Sequence, residues 1–109
     1  MELKQAVTAL SALAQDSRLA VFRALVERAP DGANPGELAE ILGIPSNTLS
    51  FHLKTLAQAG LIEAQASGRF IRYRADINRV QALVDFMTRN CCGGQPEKCA
   101  PPARKARKT

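Results

Sequence analysis

Only three residues, Gly43-Ile44-Pro45, separate two short stretches of helical patterning, and this spacing constrains the fold more than any other feature of the chain. The upstream stretch places Leu38, Ile41 and Leu42 on one face. Asn34 is positioned to cap it, with Pro35 at its first position, where a missing N–H costs nothing. Gly43 ends it. The downstream stretch, Ser46 to Ala59, lines one face with Leu49, Leu53 and Leu56 and stops at Gly60. Two short helices joined by so tight a turn form a helix-turn-helix pattern. Leu61 to Gln65 and Phe70 to Arg74 then read as two strands joined at Ala66-Ser67-Gly68-Arg69. The expected class is mainly α with a small β-hairpin: a winged helix-turn-helix.

Helices flank this unit. Apolar residues at helical spacing predict a first helix from about Glu2 to Ala14. A second is capped by Asp16 and carries Leu19, Phe22, Leu25 and Val26 on one face. Ala29 to Ala33 reads as a loop. A last helix runs from about Ile77 to Arg89, with Gly93, Gly94 and Pro96 as its breakers. The first and last helices have apolar stripes close to a heptad seam. A homodimer could bury Leu3, Val7 and Leu10 with Val80, Leu83, Val84 and Met87. The alternative is that both helices pack on their own core, and at this level the two stand open.

At 109 residues the chain holds one domain, residues 1–90, followed by a segment, residues 91–109. No apolar run is long enough to span a bilayer, and the start lacks the layout of a secretory signal, so a cytoplasmic protein is expected. The net charge of +5 favours a polyanionic partner, but it is unevenly placed. Five basic residues against Glu97 leave +4 in residues 97–109, whereas ten against nine leave +1 in residues 1–96. Basicity alone is therefore weak evidence for a nucleic-acid surface.

The stronger evidence is the helix beginning at Ser46. Opposite its leucines it presents Ser46, Asn47, Thr48, Ser50, Phe51 and His52, and residues near the start of such a helix reach base edges in the major groove of double-stranded DNA. Asn47 can address adenine, the hydroxyls several bases, and Phe51 a thymine methyl. Lys54 falls nearer phosphates. Ser46, Asn47 and Thr48 also suit simple capping, which is compatible with DNA contact. Phe51 on a polar face needs a cover, either the hairpin or DNA. His52 is the sole histidine and reads as an exposed polar residue rather than a metal ligand. Arg69 beside Gly68 at the hairpin tip is a candidate for minor groove or phosphate; Arg72 and Arg74 fit a solvated strand face equally well. An enzyme is not expected: His52 has no nucleophile partner, and no glycine-rich phosphate loop is present.

All three cysteines, Cys91, Cys92 and Cys99, fall within nine residues after the last helix. Thiolates are soft ligands, and three so close can converge on one soft ion. Adjacent helical side chains diverge by about 100°, so Cys91 and Cys92 need a frayed helix end, which Gly93 and Gly94 permit. A redox switch pairing Cys99 with Cys91 or Cys92, and cysteines without a role, are the alternatives.

With these segments in place the chain resembles the ArsR/SmtB family of dimeric winged-helix repressors. The resemblance is carried by Leu13 to Phe22, Glu37 to Ile44, Asn47 to Ile62 and the wing Gly68-Arg69-Phe70-Ile71-Arg72-Tyr73, within residues 3 to 89. It implies a homodimer that represses transcription from an operator palindrome and lets go when an inducer binds. Two sensing sites of that family lack their residues here: Asn34 to Ala39 holds no cysteine, and the last helix holds no histidine. The Cys91-Cys92 pair with a third cysteine beyond a glycine loop looks like the family's other arsenite-responsive type. The resemblance thus implies Cys91, Cys92 and Cys99 as a trigonal site for arsenite, with antimonite as a similar ligand. Zinc prefers a fourth ligand, and a zinc or cadmium response stays as an alternative. Functions of another class are metalloid buffering by the thiols alone, or a protein-interaction module.

Overall fold

Capping chemistry sets most of the element boundaries. In the computed structural model, which describes residues 1–98, five helices and one hairpin follow in order. They are α1 (Leu3–Leu13), α2 (Asp16–Glu27), α3 (Pro35–Leu42), α4 (Ser46–Gln58), β1 (Ile62–Ser67), β2 (Phe70–Ala75) and α5 (Ile77–Thr88). At the start of α3, Asn34 Oδ1 accepts from the Glu37 N–H at 2.8 Å while Glu37 Oε1 accepts from the Asn34 N–H at 2.9 Å. This reciprocal box satisfies two backbone donors that a helix start would otherwise strand. The cap of α2 is Gln15 rather than the expected Asp16: Gln15 Oε1 accepts from the Arg18 N–H at 2.8 Å, and Asp16 is already helical. The same Arg18 turns its Nε to the Ala12 carbonyl at 2.6 Å, closing the end of α1.

The core is formed where α2, α3 and α4 meet, around Val21, Phe22, Leu25, Leu38, Leu49, Leu53 and Leu56, with Leu61 and Ile62 arriving from the hairpin. Burial of a Leu or Phe side chain is worth about 1.5–3 kcal/mol, so this cluster is the main source of stability. The contribution of α1 is made of small residues. Ala6, Ala9 and Ala12 are buried, while Leu3, Val7 and Leu10 stand 68%, 53% and 42% exposed. Alanines let the α1 backbone approach its neighbours closely, which rotates the large side chains outward. On α5 the division differs. Val84 and Met87 are exposed and Val80 is half-buried, but Leu83 is only 3% exposed and lies within the core. Leu83 therefore packs inside its own subunit, which corrects its place on the expected outward stripe.

The hairpin is longer than its sequence pattern implies. Its strands pair antiparallel from Ile62↔Ala75 to Ser67↔Phe70, leaving Gly68-Arg69 as a two-residue loop. Gly68 has φ +62°, the backbone such a loop requires at its first position. The stretch expected as a loop before α3 contributes a second pairing. Ala33 N–H donates to the Tyr73 carbonyl at 3.0 Å and Tyr73 N–H to the Ala33 carbonyl at 2.8 Å, fixing the wing to the α2–α3 connection. At the far end, the Asp76 N–H donates to the Leu61 carbonyl at 2.8 Å, and Asp76 Oδ1 caps α5 at the Arg79 N–H at 3.2 Å.

α5 ends at Thr88, before the glycines expected to stop it. Arg89 is extended and Asn90 adopts φ +61°, a conformation asparagine tolerates better than most residues. Short 3₁₀ turns follow over Cys91–Gly94 and Pro96–Lys98. Among the described residues no helix is long and apolar enough to cross a membrane.

Candidate nucleic-acid interface

The core leucines hold α4 with one face inward and leave Ser46, Asn47, Thr48, Ser50, Phe51 and Lys54 exposed in one surface; His52 is half-buried at its margin. The helix contains no Asp or Glu, so nothing on it repels a phosphate backbone. Its N-cap is Pro45, which offers no side-chain oxygen, so Ser46 is not a cap. Asn47 takes part of that duty: its Oδ1 accepts from the Thr48 N–H at 2.9 Å. That bond uses one of the two lone pairs of the amide oxygen, so the second lone pair and the NH₂ remain to meet a base edge.

Phe51 is not covered by the hairpin. It is 72% exposed and stands beside Asn47, Ser50 and Lys54 around a shallow apolar recess. Arg69 is exposed at the wing tip, with no hydrogen bond or ion pair among the described residues. Arg72 and Arg74 differ from it. Arg72 Nε donates to the Asp31 carbonyl at 3.2 Å and its guanidinium lies 3.9 Å from Glu37, while Arg74 pairs with Glu63 at 3.4 Å. These two arginines brace the wing. Exposed ion pairs of this kind contribute about 0–1 kcal/mol, so their effect is orientation more than stability. Sequence reasoning did not single out Phe70, 66% exposed beside Arg69, as a member of this surface. Neither face of the outer hairpin is buried, so its alternation carried no signal.

Beyond α5, Cys91 is exposed, Cys92 is half-buried, and their sulfurs lie 3.5 Å apart. Convergence does not rest on the glycines alone: Cys92 itself has φ +57°, between Asn90 at +61° and Gly93 at +66°. Two sulfurs at that separation can bond to one ion through thiolate bonds of about 2.3 Å, since the gap is shorter than twice that length. Cys99, the third expected ligand, lies outside the described residues, and the proposed dimer stripe is a separate surface formed by Leu3, Val7, Leu10, Val84 and Met87.

A helical pair held rigid beneath an acid-free helix, with an arginine-tipped wing beside it, defines a winged helix-turn-helix DNA-binding protein. Known proteins agree. A family profile described as a helix-turn-helix domain matches residues 13–65. The HTH-type transcriptional regulator YgaV of Escherichia coli is 28% identical over 89 residues, covering 82% of this chain and 88% of that protein. An ArsR-like transcriptional regulator from Rhodococcus superposes with a TM-score of 0.72 at 28% identity, covering 79% of this chain and 78% of its own. A homodimeric winged helix-turn-helix DNA-binding domain from Mycobacterium bovis gives 0.64 at 27% identity, over 85% and 86%. The chain is a winged helix-turn-helix DNA-binding protein similar to ArsR-like transcriptional regulators; the likeness is to regulators and not to enzymes.

Proposed function

We propose that this chain is a cytoplasmic, metalloid-responsive repressor that binds operator DNA as a homodimer and releases it when arsenite, or antimonite, is bound by Cys91, Cys92 and Cys99. The observation that carries the reading is the adjacent thiol pair at 3.5 Å on a left-handed turn directly after α5. Three sulfur donors satisfy a trigonal ion, and no histidine stands among residues 77–109 to complete a tetrahedron. The homodimer rests on the outward Leu3, Val7 and Leu10 of α1 and Val84 and Met87 of α5, which are large apolar groups that a monomer would leave in water. Homodimerisation of the Mycobacterium bovis relative supports it.

Titration of the protein–DNA complex with arsenite, antimonite, zinc and cadmium tests this, for the parent and for each Cys→Ser variant. The reading requires release by the trivalent metalloids and loss of release in all three variants. Release by zinc alone, or an undiminished response when the three serines are combined, overturns it. Release by an oxidant but not by arsenite would identify a thiol redox switch instead.

A further inference from the structure

Three observations converge on Phe51. It is the most exposed large apolar side chain of the described residues, and it sits in the middle of the DNA-facing side of α4. The wing leaves it uncovered, and the groups around its recess are Asn47, Ser50 and Lys54, with no acid among them. Asn47, one helical turn earlier, has one of the two lone pairs of its amide oxygen tied to the Thr48 N–H, so its contact with any base is shared with the helix start. Ser46, Thr48 and Ser50 carry hydroxyls, which donate and accept and therefore discriminate weakly between bases. An aromatic ring cannot hydrogen-bond a base edge. In the major groove the one apolar feature it can meet is the 5-methyl group of thymine.

We infer that Phe51 is the principal specificity-determining residue of α4 and selects a thymine in each half-site through its methyl group. The inference deepens the DNA-binding reading and rests on it. Lys54, one turn from Ser50 on the same face, is placed for the adjacent phosphate and fixes the register in which the ring meets the base. Phe51 thus supplies the selection and its polar neighbours supply position.

The test begins with selection of bound duplexes from a random library by the full chain. Each thymine of the recovered sequence is then replaced in turn by deoxyuridine, which removes the methyl group and nothing else. The parent should lose about fourfold in affinity at one thymine per half-site, the worth of one buried methyl group, and about fifteenfold with both replaced. Phe51→Ala should bind the thymine and uracil duplexes equally, Phe51→Leu should keep part of the preference, and Asn47→Ala should weaken both duplexes alike. Because the ring is exposed, these variants should retain the parent circular dichroism. The inference is overturned if Phe51→Ala keeps the thymine preference, or if the parent shows none at any position of a selected site. Failure to enrich any sequence would overturn α4 as a base reader, and Phe51 with it, before uracil is introduced.

Discussion

Gly32 and Gly43 form a matched pair on which the wing's attachment can be measured. Both have a left-handed backbone, with φ +78° and +67°. They differ in what a side chain would meet. A Cβ at Gly43 finds nothing within 4 Å, whereas one at Gly32 would collide with the Tyr73 carbonyl oxygen and crowd Arg74 Cγ at 2.8 Å. Alanine at either site costs roughly 1–2 kcal/mol for the left-handed conformation alone. At Gly32 the collision must also push Tyr73 away from Ala33, losing the two hydrogen bonds of that bridge at about 1 kcal/mol each. Gly32→Ala should therefore destabilise by about 2 kcal/mol more than Gly43→Ala, a further fall in Tm of about 8–16 °C for a domain of this size. Urea unfolding followed by circular dichroism, at one fixed protein concentration, reads the difference. Gly32→Ala should also weaken DNA binding, because Arg69 lies on the hairpin that the bridge anchors. Equal destabilisation by the two substitutions would refute the claim that the Ala33–Tyr73 bridge holds the wing.

Leu83→Ala should cost about 2–5 kcal/mol, as for other buried leucines, and the loss should not diminish at higher protein concentration; a loss that vanishes on concentrating the protein would return Leu83 to the subunit contact. Val7→Glu should leave the fold intact and give a monomer by sedimentation equilibrium, and a persistent dimer would remove α1 from the interface. Arg69→Ala should weaken binding to selected and unrelated duplexes alike and lower the slope of log affinity against log salt by about 1. A sequence-dependent loss would place Arg69 on a base instead of a phosphate.

Much of this architecture was legible because its signals are local. Asn34, Pro35, Glu37 and Gly43 bracket α3 by backbone chemistry alone, and the leucine spacing of α4 has one reasonable interpretation. Where the reading missed, a competing group in space decided. Gln15 displaced Asp16 as a cap because its longer side chain reaches the Arg18 N–H. The heptad stripe points Leu83 outward because such a stripe does not reveal which of its residues the monomer claims for itself. The Ala33–Tyr73 bridge joins segments forty residues apart, and nothing in either segment announces the other. At the interface, residue types on α4 were readable, but the bond that ties Asn47 to the Thr48 N–H was not. That depends on a rotamer set by a helix start whose cap is proline.

The placement of α5 determines what a sensor at Cys91 and Cys92 could move. The helix is pinned to its own subunit from two directions: Leu83 is seated in the core, and Asp76 joins its start to the Leu61 carbonyl just past α4. Its outward residues, Val84 and Met87, have no such anchor among the described residues. Ordering of the turn that follows Thr88 would therefore be resisted by the subunit's interior and admitted at its apolar outer face. Under the proposed sensing, the inducer acts on how two subunits meet and not on the fold of either one. Couplings between sites are typically about 1–3 kcal/mol, too little to extract Leu83 from the core but enough to change operator affinity about 5- to 150-fold through the spacing of two recognition helices. The expected signature is loss of operator binding with unchanged helical circular dichroism and unchanged Tm of the isolated subunit variant Val7→Glu. If arsenite instead alters the helix content of that monomer, the coupling runs through the interior, and Leu83 and Asp76 are its conduit.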